Sequence, residues 1–397
     1  MQYRTNPKNG DRISQLAFGC MRFPTKGGNI DQEQVDLLVA HAIEQGINYF
    51  DTAYLYQGSE EALGKALAKT GARNRVFIAT KLPVFFVRKA EDLDKYFDKQ
   101  LERLQTDHID YYFMHNMSDI ELWSRLKGIG IEAWIEQKKA TGQLRNVGYS
   151  YHGGRIGFKE ILDSYPWDFC MLQYNYLDEN SQAGITGVRA IAEKGLPVFV
   201  MEPLRGGKLV DTLPDKALEA FRAVHPEWSP AEWGLRWVLD QSMVTFALSG
   251  MSSMQQLKDN LKIAEAAHVD CLGDAEFNAY ARAVAAILHV TKVPCTACGY
   301  CLPCPAGVDI PTCFADYNES YSRKRSEVLT DYFMHMGYLT PRQHDASQCT
   351  GCGACEAHCP QHIEIRNELA NVSKRFYTAL IKPFLGIARK FINPKKA

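Results

Sequence analysis

A regular alternation of short apolar runs with longer amphipathic runs, between residues 14 and 266, is the feature that most constrains the fold. The short runs predict strands, and the amphipathic stretches predict helices with one apolar face, as over residues 31–45 and 59–68. The eight predicted strands lie at residues 16–19, 48–52, 76–81, 109–115, 146–150, 169–173, 197–201 and 244–249.

Strands that alternate with helices form parallel sheets, and eight consecutive units favour an α/β protein with a closed (β/α)8 TIM barrel. The alternative, an open doubly wound sheet, needs a glycine-rich dinucleotide fingerprint after an early strand. Residues 19–22, which follow the first predicted strand, do not form one. Before that strand, Asn9 and Gly10 predict a hairpin with a two-residue turn that covers the floor of the barrel.

Polar side chains stand at the carboxyl ends of the early strands, where barrels of this class carry their active sites. Asp51 ends the second strand, Tyr56 follows it by about one turn, Lys81 ends the third strand and His115 ends the fourth. A carbonyl that accepts a hydride develops negative charge on its oxygen and needs a proton donor. We predict that Tyr56 donates the proton and that His115 orients the oxygen. Lys81, held charged by Asp51, is predicted to lower the pKa of the phenol.

The residues around these positions resemble the aldo/keto reductase superfamily. The resemblance rests on residues 50–56, residues 58–60, Thr80 with Lys81, and residues 110–115, and it covers roughly residues 14–266. It implies an NAD(P)H-dependent carbonyl reductase, with neither flavin nor metal at the active site. The four catalytic positions that it implies are Asp51, Tyr56, Lys81 and His115.

The same resemblance implies a nicotinamide dinucleotide site. The positions that it assigns to the cofactor are Gly19, Met21, Arg22, Asp51, Ser150, Gln173, Met201, Pro203, Leu204, Gly250, Met251, Ser252, Gln256 and Asn260. Met201 replaces the stacking Tyr of the family, and Ser252 replaces a common Arg that would pair with a 2′-phosphate. NADP(H) and NAD(H) therefore both remain open, with Lys208 and Lys258 as alternative cations.

Most of the cysteines are concentrated near the C-terminus, since nine of the 12 lie at or after position 295. Eight of them form two runs, Cys295, Cys298, Cys301 and Cys304, and then Cys349, Cys352, Cys355 and Cys359. The second run has the C-x2-C-x2-C-x3-C-P spacing of bacterial ferredoxins, which hold [4Fe-4S] clusters. The first run departs from that spacing by one residue, so the second cluster is the better supported of two predicted clusters.

In ferredoxins with two clusters, the fourth cysteine of each run binds the other cluster. The predicted ligand sets are therefore Cys295, Cys298 and Cys301 with Cys359, and Cys349, Cys352 and Cys355 with Cys304. Structural zinc bound by four cysteines is the alternative, but the triple repeat ending in Cys-Pro favours clusters. The leftover Cys313 is predicted to be buried.

The predicted domains are a barrel over residues 1–292, a ferredoxin-like 4Fe-4S domain over 293–365 and a basic, helical, amphipathic tail over 366–397. The insertion between the two cysteine runs predicts a helix at 316–325 that packs against the barrel. The tail has eight basic residues and one acidic residue. Peripheral docking on a membrane surface, docking of an acidic redox partner, and simple solvation are the three interpretations of that charge.

Overall charge and hydropathy exclude several classes of protein. The 45 Lys and Arg residues nearly balance the 46 Asp and Glu residues, which excludes a surface built to hold nucleic acid. No secretory signal is visible, and no apolar run reaches the roughly 18 residues of a transmembrane segment. Clustered cysteines in such a chain indicate metal binding in the reducing cytoplasm.

Two hypotheses of function follow. In the first, the chain is an oxidoreductase that reduces an aldehyde or ketone, a small-molecule carbonyl substrate, with NAD(P)H. In the alternative, the clusters exchange electrons with a ferredoxin or another redox partner, and the barrel serves as a scaffold that binds a nucleotide or that partner. A hydride carries two electrons, a cluster moves one, and nothing in the barrel resembles a flavin site that would convert between them.

Overall fold

The computed structural model describes residues 1–295, 297, 299–321, 325–337, 343–359 and 361–377. The predicted cluster ligand Cys298 lies outside the described residues. So does most of the predicted basic tail, from residue 378 onward.

Eight parallel strands close into a barrel, as the sequence predicts. Each strand pairs with its neighbours in sequence, and the last strand pairs with the first through Ser249 and Phe18. The fourth and fifth strands are longer than predicted because their pairing continues past a bulge, to Met117 and Tyr151. The barrel strands are Leu16–Gly19, Tyr49–Asp51, Phe77–Leu82, Ile109–Met117, Leu144–Tyr151, Phe169–Gln173, Val198–Met201 and Val244–Ser249.

Helices surround the barrel and bury their apolar faces against the outside of the strands. The helices of this part of the chain are Gln32–Glu44, Ser59–Thr70, Ala90–Leu104, Ile120–Ile129, Ile131–Ala140, Phe158–Asp163, Gly184–Glu193, Lys208–Asp211, Asp215–Arg222, Pro230–Asp240, Met254–Ala266 and Asp274–His289. A two-stranded ribbon, Thr25–Lys26 with Asn29–Ile30, precedes the first of them.

Aromatic rings fill the inside of the barrel. Phe199 stacks on Phe246 with ring centroids 4.2 Å apart, and Phe169 stacks on the other side of this pair at 5.2 Å from Phe199. Tyr49 and Tyr111 complete the layer at 5.2 Å from each other. The barrel is therefore a packed core rather than a channel, and a ligand can enter only above these rings.

The floor of the barrel is closed by a hairpin of strands Tyr3–Thr5 and Arg12–Ser14. The hairpin itself is as predicted, but the prediction of a two-residue turn is wrong. The Asn6 amide donates to the Asp11 carbonyl and the Gly10 amide donates to the Asn6 carbonyl, so the loop spans residues 6–11. This wider loop lets the Asn6 side chain donate to the Tyr111 hydroxyl, 3.2 Å away inside the barrel.

The C-terminal domain has a separate apolar core. In that core the ring of Tyr332 stacks on Phe376 at 3.9 Å. Its helices are Ile310–Glu319, Arg325–His335, Ala354–Ala357 and Ile365–Phe376. The last helix crosses residue 366, where the sequence predicts the tail to begin, and its apolar face lies in this core.

The prediction of a helix at 316–325 is wrong in its position. The helix starts earlier, because Asp309 caps it by accepting from the amide of Thr312 at 3.3 Å and Pro311 occupies its first turn. It ends at Glu319, where the hydroxyl of Ser320 donates to the Tyr317 carbonyl. The predicted packing of this insertion against the barrel is present in the structure, with Asp309 as its anchor.

Asp309 joins the two parts of the molecule. Its Oδ2 accepts a hydrogen bond from the backbone amide of Arg155 at 2.6 Å. A side chain at Gly154 would bring a Cβ within 2.0 Å of the same oxygen, so only glycine permits this approach. Arg155 also donates to the Ala297 carbonyl at 2.5 Å, next to the first cysteine run.

None of the helices in the described ranges combines the length and the apolar character required to span a membrane.

Candidate active site and cluster region

A cavity of about 650 Å3 opens at the carboxyl ends of the barrel strands. The barrel forms one wall, and helices Ile310–Glu319 and Arg325–His335, which we call the roof helices, form part of the opposite wall. The tertiary structure brings four side chains from three separate strands and the loop after one of them to the lining of this one cavity: Asp51, Tyr56, Lys81 and His115.

A buried ion pair lies at the base of the cavity. The Lys81 Nζ donates to Oδ1 of Asp51 and, at 2.7 Å, to the carbonyl of Thr52, and both side chains are only 2% exposed. Burial alone lowers the pKa of Lys81, but the Asp51 carboxylate and the Tyr56 phenol outweigh it and raise the pKa above its ordinary value. Lys81 is therefore cationic at neutral pH.

Tyr56 lies beside this cation, with the Lys81 Nζ 4.9 Å from the centre of its ring. Desolvation raises the pKa of Tyr56, and the charge and hydrogen bond of Lys81 oppose that rise. The net direction is upward, although Lys81 itself lowers the pKa as predicted. The lysine acts with the predicted sign, but the loss of water around the phenol has the larger effect.

His115 stands edge-on to Tyr56, with 5.9 Å between the ring centroids. Burial, together with the Lys81 charge and His152, holds its pKa well below 6.5, so the imidazole is neutral. Nδ1 is enclosed and has no hydrogen-bond partner among the described residues. Nε2 is therefore the ring nitrogen available to a substrate oxygen.

A buried polar network behind the third strand orients the lysine. Gln100 donates to Glu60 at 2.8 Å and to the backbone carbonyl of Lys81 at 3.1 Å. Thr80 donates to the same Glu60 carboxylate at 2.6 Å. Our sequence analysis did not identify Gln100 in this role; the available signal was a fully buried polar residue on the apolar side of helix Ala90–Leu104.

The residues assigned to the cofactor fall into two groups. Those that line the cavity with the predicted catalytic residues are Gly19, Met21, Arg22, Asp51, Ser150, Gln173, Met201 and Gly250. Those that are not part of its lining are Pro203, Leu204, Met251, Ser252, Gln256 and Asn260. The second group includes Asn260, which donates to the Ser249 hydroxyl at 3.0 Å, and Gln256, which accepts from the Ser252 amide at 2.9 Å.

This cavity wall suits an extended, partly polar ligand. Gly19 and Gly250 line one side of the cavity, where a Cβ at either position would stand 3.3 to 3.4 Å from the nearest neighbouring atoms. Gln173 and Ser150 supply polar groups at the neighbouring strand ends, and Met201 supplies an apolar surface. Lys208 pairs with Glu319 of the roof at 3.5 Å, so its charge is directed toward the roof helices.

The roof helices add a second group of titratable side chains to the cavity. His335 Nδ1 contacts both carboxylate oxygens of Asp316, at 2.9 and 3.0 Å. Burial lowers the pKa of His335, but Asp316 outweighs this effect and raises it to about 9. On the barrel side, burial and the His335 charge lower the pKa of His152 to about 3.

The first cysteine group surrounds a small apolar cleft. Cys295, Cys301 and Cys359 line it together with Ile310, Pro311 and Phe314 of the first roof helix. Cys359 belongs to the second cysteine run, so the fourth cysteine lies with the opposite run, as the ferredoxin pattern predicts.

The second group contains Cys304, Cys349 and Cys355. All three pack against the apolar core of the C-terminal domain. Burial, Glu356 and the charges of Cys304 and Cys349 raise the pKa of Cys355. Gly351 and Gly353 bend the chain between them with φ of 75° and 78°. The described residues therefore fit two thiolate donor sets, although none of them already converge on one ion.

Comparison with known proteins agrees with both parts of the site. The profile of the aldo/keto reductase family matches residues 15–271, more than half of the chain. The chain belongs to the aldo/keto reductase family. The profile of a 4Fe-4S dicluster domain matches residues 294–364 of this reductase. It is therefore an oxidoreductase with a C-terminal 4Fe-4S domain, and this match favours clusters over structural zinc.

Individual relatives align with the barrel part of the chain. L-galactose dehydrogenase of Arabidopsis thaliana is 27% identical over 306 residues, which span 69% of this chain and 90% of that protein. The NADH-specific methylglyoxal reductase of Escherichia coli is 24% identical over 296 residues, or 63% of this chain and 89% of that protein. The holo form of an aldo-keto reductase from Bacillus halodurans superposes with a TM-score of 0.60 at 27% identity, covering 71% of this chain and 96% of its own.

In this aldo/keto reductase, the sequence analysis missed the side chains that complete the cavity. His152 follows the fifth strand, and Asp316 and His335 come from the 4Fe-4S domain. The only sequence signal for the last two was the length of the insertion between the cysteine runs. Their presence in the same cavity as His115 depends on how the two domains pack, which no local sequence pattern records.

Proposed function

We propose that the protein reduces an aldehyde or ketone with NAD(P)H. The observation that carries this proposal is the convergence, in one cavity, of a phenol, a buried lysine–aspartate pair and a neutral imidazole. A carbonyl oxygen that gains negative charge needs a nearby proton donor and a hydrogen-bond donor that aims at it. Carbonyl-dependent oxidation of NAD(P)H by the purified protein is the direct test.

The roles of the four side chains follow from their contacts. When bound, the nicotinamide supplies the hydride for the carbonyl carbon. Tyr56 donates its proton to the carbonyl oxygen, and the Lys81 cation stabilises the phenolate that remains. Asp51 keeps Lys81 charged, and His115, neutral and protonated on Nε2, donates a hydrogen bond to the same oxygen.

The cofactor is proposed to be a nicotinamide dinucleotide that lies along Gly19, Arg22, Ser150, Gln173 and Gly250. Two relatives are named for L-galactose and methylglyoxal, and both compounds are small and rich in oxygen. One of these relatives is named as NADH-specific, and the protein named aldo-keto reductase yakc is labelled with NADP(+). KM values for NADPH and NADH decide which cofactor this chain prefers.

The pH dependence of the reaction should report Tyr56. Since the donor must be protonated, kcat/KM for reduction falls as the pH rises through the Tyr56 pKa, and desolvation raises that pKa above 10. The basic limb is expected above about pH 10. His115 contributes no inflection between about pH 6.5 and 9, because its pKa lies well below this range. A measured basic limb below pH 8 would contradict these assignments.

The C-terminal domain is proposed to hold two [4Fe-4S] clusters, which exchange single electrons when present. Anaerobically purified protein should then contain about eight iron atoms and eight acid-labile sulfides per chain. Cys355→Ala should leave about four of each, because it removes a ligand of only one cluster. Cys313→Ala is the matched control: Cys313 is buried against Met336, outside both groups, and its loss should leave about eight. Four iron atoms in the unaltered protein would indicate a single cluster and contradict the proposal of two.

Electron transfer to a redox partner is a second candidate function, and one observation favours it. The first roof helix lines the cysteine cleft with Ile310 and Phe314 and lines the active-site cavity with Asp316. One helix thus separates the two sites. If NAD(P)H without a carbonyl compound bleaches the cluster absorption, and an oxidised ferredoxin restores it, this function is supported. We place the protein in the cytoplasm, where cluster cysteines stay reduced.

A further inference from the structure

We infer that His152 of the barrel and the Asp316–His335 pair of the 4Fe-4S domain form a subsite for hydroxyl groups, and that the substrate is a polyhydroxylated, sugar-like aldehyde or ketone. This inference rests on the proposed carbonyl reduction for the identity of the reacting group. It specifies which chemical groups the substrate carries beyond the carbonyl.

The His152 side chain is polar and half-buried, and no described residue forms a hydrogen bond with its ring. Its ring lines the cavity 6.4 Å from that of His115, close to where the carbonyl oxygen would lie. Neither ring nitrogen has a hydrogen-bond partner within the part of the chain that the structure describes. Polar groups held in such an enclosed place normally find partners, so a ligand is the natural partner for this ring.

The roof supplies the opposite side of the subsite. Both Asp316 and His335 line the cavity, and their hydrogen bonds use Nδ1 of His335, which leaves the Nε2 side of the ring for a ligand. His335 also lies close enough to lower the pKa of His152. A ligand that reaches from His115 past His152 therefore meets the roof.

The charges of these groups point to hydroxyls. His152 is neutral, and the cation of His335 is balanced by the carboxylate of Asp316, so these three groups together carry no net charge. The carboxylates of Glu327 and Asp331 on the same wall disfavour an anionic ligand. The two imidazole rings offer N–H donors, and the His152 ring nitrogen and the Asp316 carboxylate oxygens offer acceptors. A hydroxyl, which is donor and acceptor at once, satisfies both kinds of group.

The position of the roof is defined by the contacts of Asp309. Its Oδ1 accepts from the Thr312 amide and its Oδ2 from the Arg155 amide, so the start of the first roof helix is tied to the loop that follows His152. Gly154 in that loop allows the close approach. The 4Fe-4S domain thus holds Asp316 at a set distance from the barrel, as an ordered half of the substrate site.

A matched pair of substrates tests the inference in the full-length protein with its clusters. Glyceraldehyde and propionaldehyde share a three-carbon aldehyde and differ by two hydroxyl groups. We expect kcat/KM to favour glyceraldehyde by about tenfold or more. His152→Phe should remove about tenfold of this preference through a higher KM for glyceraldehyde, and it should change kcat/KM for propionaldehyde much less. His152→Gln, which keeps a donor and an acceptor, should retain most of it.

Two further variants separate the subsite from general damage. Asp316→Leu combined with His335→Phe replaces the ion pair by apolar groups and leaves no buried charge without a partner. The double variant should lose the preference for glyceraldehyde and keep the full iron content. His41→Phe changes a histidine that does not line the cavity and should leave the preference as it is. Equal kcat/KM for both aldehydes in the unaltered protein, or an equal loss of both in His152→Phe, would overturn the subsite.

Binding of xylitol, measured by calorimetry on the same protein, separates failure of the subsite from failure of the reductase. If neither aldehyde is reduced but xylitol binds, and binds about tenfold more weakly to His152→Phe, the subsite stands and the reductase proposal falls. If neither aldehyde is reduced and xylitol does not bind at millimolar concentration, both proposals fall.

Discussion

Tyr56→Phe should lower kcat for carbonyl reduction by about 10²- to 10⁴-fold, because it removes the proposed proton donor and little else. The phenyl ring keeps the contact of Tyr56 with Lys81 and the edge-on packing against His115. Binding of the nicotinamide dinucleotide should be unaltered. Steady-state kinetics with a small aldehyde, and the dissociation constant of the cofactor from fluorescence quenching, provide the measurement.

Tyr54→Phe is the matched control, only two residues away. The ring of Tyr54 packs against Tyr96 at 4.9 Å and beneath Arg103 at 4.5 Å, and it does not line the cavity. Its hydroxyl has no part in the proposed chemistry, so kcat should stay near that of the unaltered protein. If Tyr56→Phe retains kcat within about threefold, another group donates the proton and the proposed mechanism is wrong.

Lys81→Met should both inactivate and destabilise the barrel. It leaves the Asp51 carboxylate buried without its cation, and removing one partner of such a pair costs about 3–5 kcal/mol of folding free energy. Reduction should also slow, because nothing then stabilises the Tyr56 phenolate. All six tryptophans lie between residues 123 and 237, so denaturant unfolding followed by their fluorescence reports the barrel alone.

The double variant Asp51→Asn with Lys81→Met separates the two effects. Both charges are gone, so most of the lost stability should return, whereas the catalytic rate should not. Stability that stays low in the double variant would mean that Lys81 contributes through packing, for example against Phe113 at 5.3 Å, rather than through charge. A double variant that regained its rate would contradict the proposed role of the lysine in catalysis.

The structure also changes the view of the C-terminal domain. Two domains in contact were predicted, but the sequence did not predict that both would form walls of one cavity or that salt bridges from Glu319 to Arg205 and Lys208 would join them. Loss of the clusters is therefore expected to disturb substrate binding even if the clusters pass no electrons. The two roles can be distinguished because only electron transfer requires the cluster absorption to change during turnover.

Most of the barrel was predictable because its signals are local. Each strand is a short apolar run, each helix has an apolar face, and Asp51, Lys81 and His115 stand at strand ends that a parallel barrel must bring to one side. The spacing within each cysteine run is equally local, since three cysteines two residues apart suit one cubane cluster. The amino-acid sequence is therefore sufficient to predict these features.

Other features depended on contacts between distant residues. The Tyr56 pKa rises rather than falls because desolvation sums over every neighbour that excludes water, while the sequence identifies only the nearest charge. His335 faces His152 across 183 positions of the chain because Asp309 bonds to the Arg155 amide. The sequence by itself thus determined the barrel, the strand ends that carry the proposed catalytic residues, and the cluster motifs, whereas the tertiary structure alone decided the electrostatics of the site and its second wall. Burial and domain packing are properties of the whole molecule, and no short stretch of residues encodes them.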